Sequence, residues 1–512
     1  MKILIIIEYL INLAILFLFY LHMFQLNSYS FSKHMHWIKS NIKIIIIRFL
    51  LILVATLPLL FNNTICNILS IIILGISIFY NVPKKKSKIK LKFTNRVKRM
   101  LVTQILLVIF NFIITYYNCI VINLCILNTL SPFLCIIVNL INFPVEYFGR
   151  KYYIYRAKKI LSDMPNLIVI GVTGSYGKTS VKNFLEKTLE SKYEVLTTPK
   201  NYNTTMGVVK TIRENLKPTH QVFICEMGAT KPNDIKEICN IVQPKFGIIT
   251  AIGPQHLESF KNIQTIIKTK FELADSVKKN NGTMFFNFDN EYIQAYPINQ
   301  KFISYGVNNN KLNYNAFNIK TSSKGSTFSI IDKISNKKVS FTTKLIGSHN
   351  VVNITGAVSI CNYLGIELSN LVSQVKKLNS VEHRLQLLSN KNFNIIDDSY
   401  NSNPISSKSA LDTLSQFQGA KIIVTPGLVE LGKNERPYNE EFGRYACNIC
   451  DYIFLVNSKQ STYILDGILS TQFNKNHIFH VNSPQEAINK ILKLNIPGKP
   501  TILLENDLPD NY

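Results

Sequence analysis

Ten consecutive residues have the composition of a phosphate grip: Gly171-Val-Thr-Gly-Ser-Tyr-Gly-Lys-Thr-Ser180. The apolar run Leu167–Ile170 precedes them and a helical pattern, Val181–Leu189, follows. In that order, a strand hands the chain to a turn whose glycines let backbone N–H groups close around phosphate oxygens. Gly174, Ser175, Gly177 and Ser180 line the turn, the helix N terminus adds positive potential, Lys178 can reach terminal phosphates and Thr179 can ligate Mg²⁺. This is the chemistry of a bound nucleoside triphosphate. A chance glycine-rich turn is the bland alternative. The commoner phosphate-loop pattern would put glycine at 172, where Val stands.

A second strand, Gln221–Cys225, delivers Glu226 at its C-terminal end. A carboxylate there can hold Mg²⁺ opposite Thr179, although a lone strand-end Glu is ordinarily a solvated terminus.

The glycine spacing G-x-T-G-S-x-G-K-T resembles the Mur ligase family and its relatives, the folylpolyglutamate synthetases. The resemblance runs through most of residues 165–460. It implies ATP and two Mg²⁺ ions, with Thr179 and Glu226 on the first metal. Gly253-Pro-Gln-His-Leu-Glu258 resembles the family's GPxHLE segment, whose histidine, here His256, serves a second metal. Lys270 stands where Mur ligases carry a lysine carbamate, which would supply an anionic oxygen that an ordinary ammonium cannot.

Further motifs follow in the family's order. Asn201-Tyr-Asn203 resembles its substrate-facing N-x-N loop, and Asn287-Phe-Asp289 its element near adenine. Gly347-Ser-His349-Asn350-Val-Val-Asn353 matches G-x-H-N-x-x-N at a helix start. Arg384 takes the place of an arginine that approaches the terminal phosphate. Asp397-Asp-Ser-Tyr-Asn-Ser-Asn-Pro404 is nearly the whole D-D-S-Y-N-x-N-P run of the MurF-type branch, which joins D-alanyl-D-alanine to a UDP-muramoyl tripeptide. There Asp398 is expected to hold the ribose, with Tyr400, Asn401 and Asn403 lining a cleft. The segment Thr425–Gly432 resembles a loop after the next strand, whereas Leu504–Asp510 replaces the family's basic K-G-S-R-like stretch.

The elements that must position these residues alternate strand and helix, so the soluble part reads as α/β: a P-loop central domain with a parallel sheet (160–381) and a C-terminal Rossmann-like domain (382–512). Ahead of them, residues 1–150 read as an α-helical transmembrane region. Ile3–Leu26, Ile42–Phe61, Ile65–Val82, Leu101–Tyr117 and Ile120–Phe143 are apolar, and a crossing helix needs about 20 residues. Pro83–Met100 holds nine Lys or Arg and no acid. By the bias of cytoplasmic loops toward Lys and Arg it belongs inside, which returns the chain to the cytoplasm near Arg150.

The net charge of +26 therefore reads as membrane topology and anionic substrates rather than nucleic acid. The expected partners are membrane lipids, a muramoyl-peptide acceptor, soluble or lipid-linked, and an amine from an amino acid or dipeptide. Resemblance implies an acyl phosphate route: a substrate carboxylate takes the γ-phosphoryl and the amine then displaces phosphate, with Lys178 and Arg384 stabilising the transferring group. Two alternatives stand beside this ligase of peptidoglycan precursors. One is a polyglutamating ligase of the same chemistry; the other is a non-catalytic membrane scaffold that binds ATP as a switch.

Overall fold

The computed structural model describes residues 1–61, 63–82, 90–115, 117–199, 202–400, 402–494 and 496–507. Asn201, Asn401, most of the basic segment after Val82 and the end of the chain lie outside them. Contacts divide the chain into one unit, Met1–Lys151, and a second that begins at Tyr152.

The first unit is helical: α1 (Lys2–Leu26), α2 (Phe31–Ser40), α3 (Ile42–Thr56), α4 (Thr64–Asn81), α5 (Asn95–Ile114), α6 (Tyr117–Thr129) and the part of α7 (Ser131–Ser162) up to Lys151. Among the described residues, five helices are long and apolar enough to cross a membrane: Lys2–Leu26, Ile42–Leu59, Thr64–Asn81, Asn95–Ile114 and Ser131–Ser162. Their apolarity faces the wrong way for a water-soluble bundle. Ile46, Leu50, Ile68, Ile72, Leu106 and Phe110 are exposed, while Asn12, Ser77 and Asn81 are fully buried. Asn81 Nδ2 donates to Asn12 Oδ1 (2.9 Å) and Asn12 Nδ2 to Ser77 Oγ (3.4 Å). Polar groups paired inside and hydrocarbon outside is the arrangement a lipid solvent favours.

The expected fifth span, Ile120–Phe143, is not one helix. α6 stops at Thr129 and α7 starts at Ser131. Pro132 has no N–H to continue the ladder and is accommodated only in the first turn of the new helix. The fourth begins six residues before the expected Leu101, because Thr94 caps α5 by accepting from Val97 N at 3.3 Å.

The second unit carries two sheets. The first runs β1 (Ile168–Thr173), β2 (Val195–Thr197), β3 (Val222–Glu226), β4 (Phe246–Ile249), β5 (Thr283–Asn287), β6 (Phe302–Val307), β7 (Tyr314–Ser322), β8 (Gly325–Asp332) and β9 (Lys337–Thr343), in the order β2-β3-β1-β4-β5-β6-β7-β8-β9. Pairing is parallel as far as β7; β8 and β9 extend the sheet antiparallel, a departure from the expected parallel sheet. Helices α8 (Lys178–Leu189), α9 (Thr205–Asn215), α10 (Asp234–Val242), α11 (Leu257–Phe260), α12 (Ile263–Lys279), α13 (Glu291–Gln294), α14 (Ser348–Tyr363) and α15 (Leu368–Lys376) connect or cover it. Strand alternation splits the core: Ile170 and Val172 pack with Leu185 and Ile354, whereas Val169 packs with Ile238 and Phe271 on the other side.

The second sheet contains β10 (Gln386–Ser389), β11 (Asn394–Asp398), β12 (Lys421–Thr425), β13 (Tyr452–Val456), β14 (Ile478–Val481) and β15 (Thr501–Glu505), ordered β10-β11-β15-β12-β13-β14. All neighbours are parallel except β10 with β11. Helices α16 (Pro404–Ser415), α17 (Glu435–Cys447), α18 (Lys459–Leu469) and α19 (Pro484–Lys493) complete this layer.

Candidate functional site

The loop between β1 and α8 is shaped by two glycines with positive φ, Gly174 (155°) and Gly177 (80°). A Cβ on Gly174 would lie 2.1 Å from Thr250 Oγ1 and 3.0 Å from the Ala251 carbonyl oxygen, and one on Gly177 2.9 Å from Asn353 Oδ1, so a side chain is strained at both places and crowded most at Gly174. Ser175 ties the loop to the segment after β4: its N–H donates to Ala251 O (2.7 Å), its hydroxyl to Gly253 O (3.0 Å), and it accepts from Gly253 N (3.1 Å). Lys178 Nζ lies over the loop and donates to the carbonyls of Gly174 (2.7 Å) and Ser175 (3.0 Å). Burial lowers its pKa to about 8, opposed by Glu226 and reinforced by the positive Arg384. Such a lysine gains most from a phosphate that restores its charge.

Parallel pairing of β1 with β3 sets Val172 beside Glu226, which brings the carboxylate to the start of α8. Thr179 donates to Glu226 Oε1 (3.2 Å), as does Asn203 Nδ2 (3.1 Å). Lys182, one turn beyond Lys178, places Nζ 3.3 Å from Oε2 and donates to Thr198 O (2.8 Å). Both charges are nearly fully buried. The hydroxyl and carboxylate form a hard oxygen set beside a phosphate loop, so these residues fit Mg²⁺. Lys182 is absent from the sequence reading, yet its i, i+4 spacing from Lys178 puts it on the same helix face.

Arg384 comes from the second sheet's domain. Its guanidinium lies 4.2 Å from the Tyr400 ring centroid, and its charge bears on both Lys178 and Asp398. Two α/β domains thus converge on one phosphate loop.

Residues 172–361 match the Mur ligase middle domain, and residues 383–504 match the domain described as "Mur ligase, glutamate ligase domain". This chain belongs to the Mur ligase family. It is 33% identical over 292 residues to UDP-N-acetylmuramoyl-tripeptide–D-alanyl-D-alanine ligase of Buchnera aphidicola subsp. Baizongia pistaciae, covering 56% of this chain and 62% of that one. Against the Bacillus subtilis protein of the same name it is 27% identical over 328 residues, 63% and 69% of the two chains. The chain therefore spans about three fifths of the length of the first of these curated relatives. Among solved structures, MurF from Acinetobacter baumannii superposes with a TM-score of 0.63 at 24% identity, over 70% of this chain and 77% of that one. MurF ligase from Thermotoga maritima in complex with ADP gives 0.62 at 22%, over 70% and 80%. These two likenesses concern the fold.

Within this Mur ligase, other expected site residues are placed unequally. Lys270 is buried on α12, and burial first, then the positive Lys178, depresses its pKa well below that of an ordinary lysine. His256 begins α11 with φ 53° and pairs through Nδ1 with Glu430, a partner the sequence reading did not assign. Among the described residues no three of His, Cys, Asp and Glu stand together as a metal cage. An unmodified lysine at 270 and a ring already paired through Nδ1 do not by themselves make a second metal site.

Asn353 lies against the phosphate loop at Gly177. Asn350, by contrast, donates to Ile346 O (2.8 Å) in its own helix turn. His349 has an enclosed Nδ1 without a partner, and burial lowers its pKa to about 4, so the ring is neutral at pH 7. Asn287 joins the ends of β4 and β5 by donating to Thr250 O (2.8 Å) and accepting from Asp289 N (3.1 Å).

At the end of β11, Asp398 accepts from Leu385 N (3.1 Å), and burial raises its pKa to about 6 against the opposing charge of Arg384. Asp398 sits in register with Glu505 on β15. Burial first, then Asp398, drives the Glu505 carboxyl well above the usual range, and Ser402 donates to it. Two such carboxyls in register disfavour each other's ionisation. Tyr400 is half exposed. Asn403 instead caps α16, accepting from Ile405 N and Ser406 N at 3.0 Å each. Asn201 and Asn401 lie outside the described residues.

Proposed function

We propose that this chain is a membrane-anchored, ATP-dependent, ADP-forming peptide ligase of peptidoglycan precursor synthesis, which adds a D-alanyl-D-alanine-like dipeptide to a muramoyl peptide. The observation that carries the reading is the convergence of Lys178, Thr179 and Glu226 with Arg384 from the second domain. A switch needs the first three; bringing an arginine to them from a separate domain is the layout of phosphoryl transfer. The curated relatives' names supply the substrate class.

In this reading the acceptor carboxylate attacks the γ-phosphorus of ATP, ADP departs, and an acyl phosphate remains. The amine then attacks the acyl carbon, phosphate leaves, and the nitrogen loses a proton to form the amide. Lys178 and Arg384 hold the phosphoryl oxygens and offset their charge, so the protein acts by positioning and electrostatics. Thr179 and Glu226 would hold Mg²⁺, which lends further positive charge to the phosphates. Lys270, whose burial disfavours the charged ammonium, is suited to add CO₂ with loss of a proton and become a carbamate; with His256 it would then offer ligands to a second metal. Asn203 and Tyr400, with Asn201 and Asn401, are assigned to substrate, and Asp398 to the ribose.

The membrane anchor rests on five long apolar helices whose hydrocarbon faces outward. The catalytic domains are assigned to the cytoplasm, where ATP is. The acceptor is either soluble or lipid-linked; a lipid-linked one would suit the apolar helices that precede the α/β domains.

The test is a product screen. Purified full-length protein in detergent receives ATP, Mg²⁺, candidate dipeptides and UDP-linked or lipid-linked muramoyl peptide, with mass spectrometry of the products. ADP and phosphate are expected only when acceptor and amine are both present. Release of ADP independent of either one would overturn the ligase reading.

A further inference from the structure

The two oxygens of Glu226 are held by different groups. Oε1 accepts from the Thr179 hydroxyl (3.2 Å) and from Asn203 Nδ2 (3.1 Å). Oε2 makes no hydrogen bond among the described residues and faces Lys182 Nζ at 3.3 Å. That Nζ is fixed from another side as well: it donates to the Thr198 carbonyl (2.8 Å), while the Thr198 hydroxyl accepts from Glu226 N (3.0 Å). Lys182, Glu226 and Thr198 thus close a ring between α8, β3 and the end of β2, and both charged side chains in it are 2% exposed.

Thr179 and Lys182 stand three residues apart on α8, so one helix face presents a hydroxyl and a cation to the same carboxylate. The phosphate loop already has its own cation in Lys178, whose Nζ lies on the loop carbonyls. Charge balance for a buried Glu226 is the plain reading of Lys182. A divalent ion on Glu226 would supply that balance by itself, however, and a second cation beside the same carboxylate then opposes the metal. The lysine earns its place through geometry, because it occupies one of the two oxygens.

Divalent ions differ in what they take from a carboxylate. Ca²⁺ gathers about six to eight oxygens at roughly 2.3–2.6 Å and often takes both oxygens of one carboxylate, whereas Mg²⁺ demands a near-octahedral set at about 2.0–2.1 Å. We propose that Lys182 selects the metal of this site. By holding Oε2 it leaves Glu226 a ligand through Oε1 only, which serves Mg²⁺ and penalises Ca²⁺. It acts through Glu226 and is a positioning residue. The inference rests on the assignment of Mg²⁺ to Thr179 and Glu226 above.

The experiment measures binding without turnover. Full-length protein in dodecyl maltoside is titrated with adenylyl imidodiphosphate, a hydrolysis-resistant ATP analogue, in Mg²⁺, in Ca²⁺ or in a chelator, and calorimetry gives each affinity. Wild type is expected to bind the Mg²⁺ complex more tightly than the Ca²⁺ complex. In Lys182→Met that preference should shrink by about tenfold, the scale on which groups that hold a metal's ligands act. The lost positive charge bears on both ions alike, so the ratio isolates the coordination. Lys182→Arg, which keeps a cation and donors for Oε2, should keep most of the preference, and thermal unfolding checks that each variant is folded. Equal affinity of wild type for the two complexes would overturn the proposal, with no variant needed. So would a wild-type ratio in Lys182→Met, or a ratio lost in Lys182→Arg as fully as in Lys182→Met. Glu226→Gln separates the layers: if it leaves Mg²⁺-dependent binding intact, the metal assignment falls and the selectivity with it. If it weakens binding while Lys182→Met keeps the ratio, the selectivity alone falls. Absent ADP release with the preference intact counts against the ligase reading alone.

Discussion

Thr179 donates its hydroxyl proton to Oε1 of Glu226 across 3.2 Å, joining the first turn of α8 to the last residue of β3. On the carboxylate's other oxygen, Lys182 closes the cluster at 3.3 Å. Glu226 is therefore the partner of a buried cation as well as the residue proposed to hold Mg²⁺, and the two tasks can be separated.

Glu226→Gln keeps the shape and removes the charge. ADP release is expected to fall by about 10²-fold or more, the scale of losing a group that stabilises developing charge. Leaving Lys182 buried and uncompensated should also cost about 3 kcal/mol of stability. Adding Lys182→Met to Glu226→Gln should recover stability in a denaturant titration without recovering activity. Joint recovery of both would show that the carboxylate acts only through the fold.

Gly177 has a left-handed φ, and a Cβ there would press on Asn353. Gly177→Ala is expected to cost about 1–2 kcal/mol. Gly174→Ala should cost more, because its Cβ would overlap Thr250 Oγ1 at 2.1 Å and touch the Ala251 carbonyl at 3.0 Å. Thermal unfolding ranks the two, and an inverted order would contradict the loop geometry.

His349 gives a pH signature. Its folded pKa, near 4, lies below the ordinary value of 6.5, so between these values the unfolded chain binds the extra proton. Its contribution is present above pH 6.5 and is lost as pH falls toward 4, by an amount on the order of 2 kcal/mol. Asp289 and Asp398, both raised to about 6, act oppositely, since the folded state holds their protons. The comparison is therefore wild type against His349→Gln at each pH: the difference in unfolding free energy should shrink or reverse from pH 7 to pH 4. A constant difference would rule out this role.

Lys270 is tested by its chemistry with CO₂. With ¹³C-bicarbonate, wild type is expected to show a carbamate carbonyl resonance that is absent in Lys270→Ala, and acid treatment should erase it. Activity of Lys270→Ala should fall by about 10²-fold. Unchanged ATPase and ligase activity in that variant would remove the carbamate from the mechanism.

The residues expected at a second metal show where reading along a chain reaches its limit. His256 was visible within its motif, but Glu430 pairs with it from 174 positions away. Glu505 had been noted only as a replacement for a basic stretch; its apposition to Asp398 follows from the last strand, β15, inserting between β11 and β12. Asn403 stood in a recognisable run, yet its side chain is taken up by a helix cap, which competes for the same oxygen.

The sequence by itself determined the phosphate loop, the strand that ends at Glu226, the family and the apolar character of the first 150 residues. Those features depend on neighbouring residues: glycine conformations, short hydrophobic runs, and charge placed at a strand end. The tertiary structure alone decided that Lys182 and Thr179 share one carboxylate and that Arg384 bears on Lys178. Such pairings are set by strand order and register, and the energy of a buried charge depends on what those long-range contacts bring beside it.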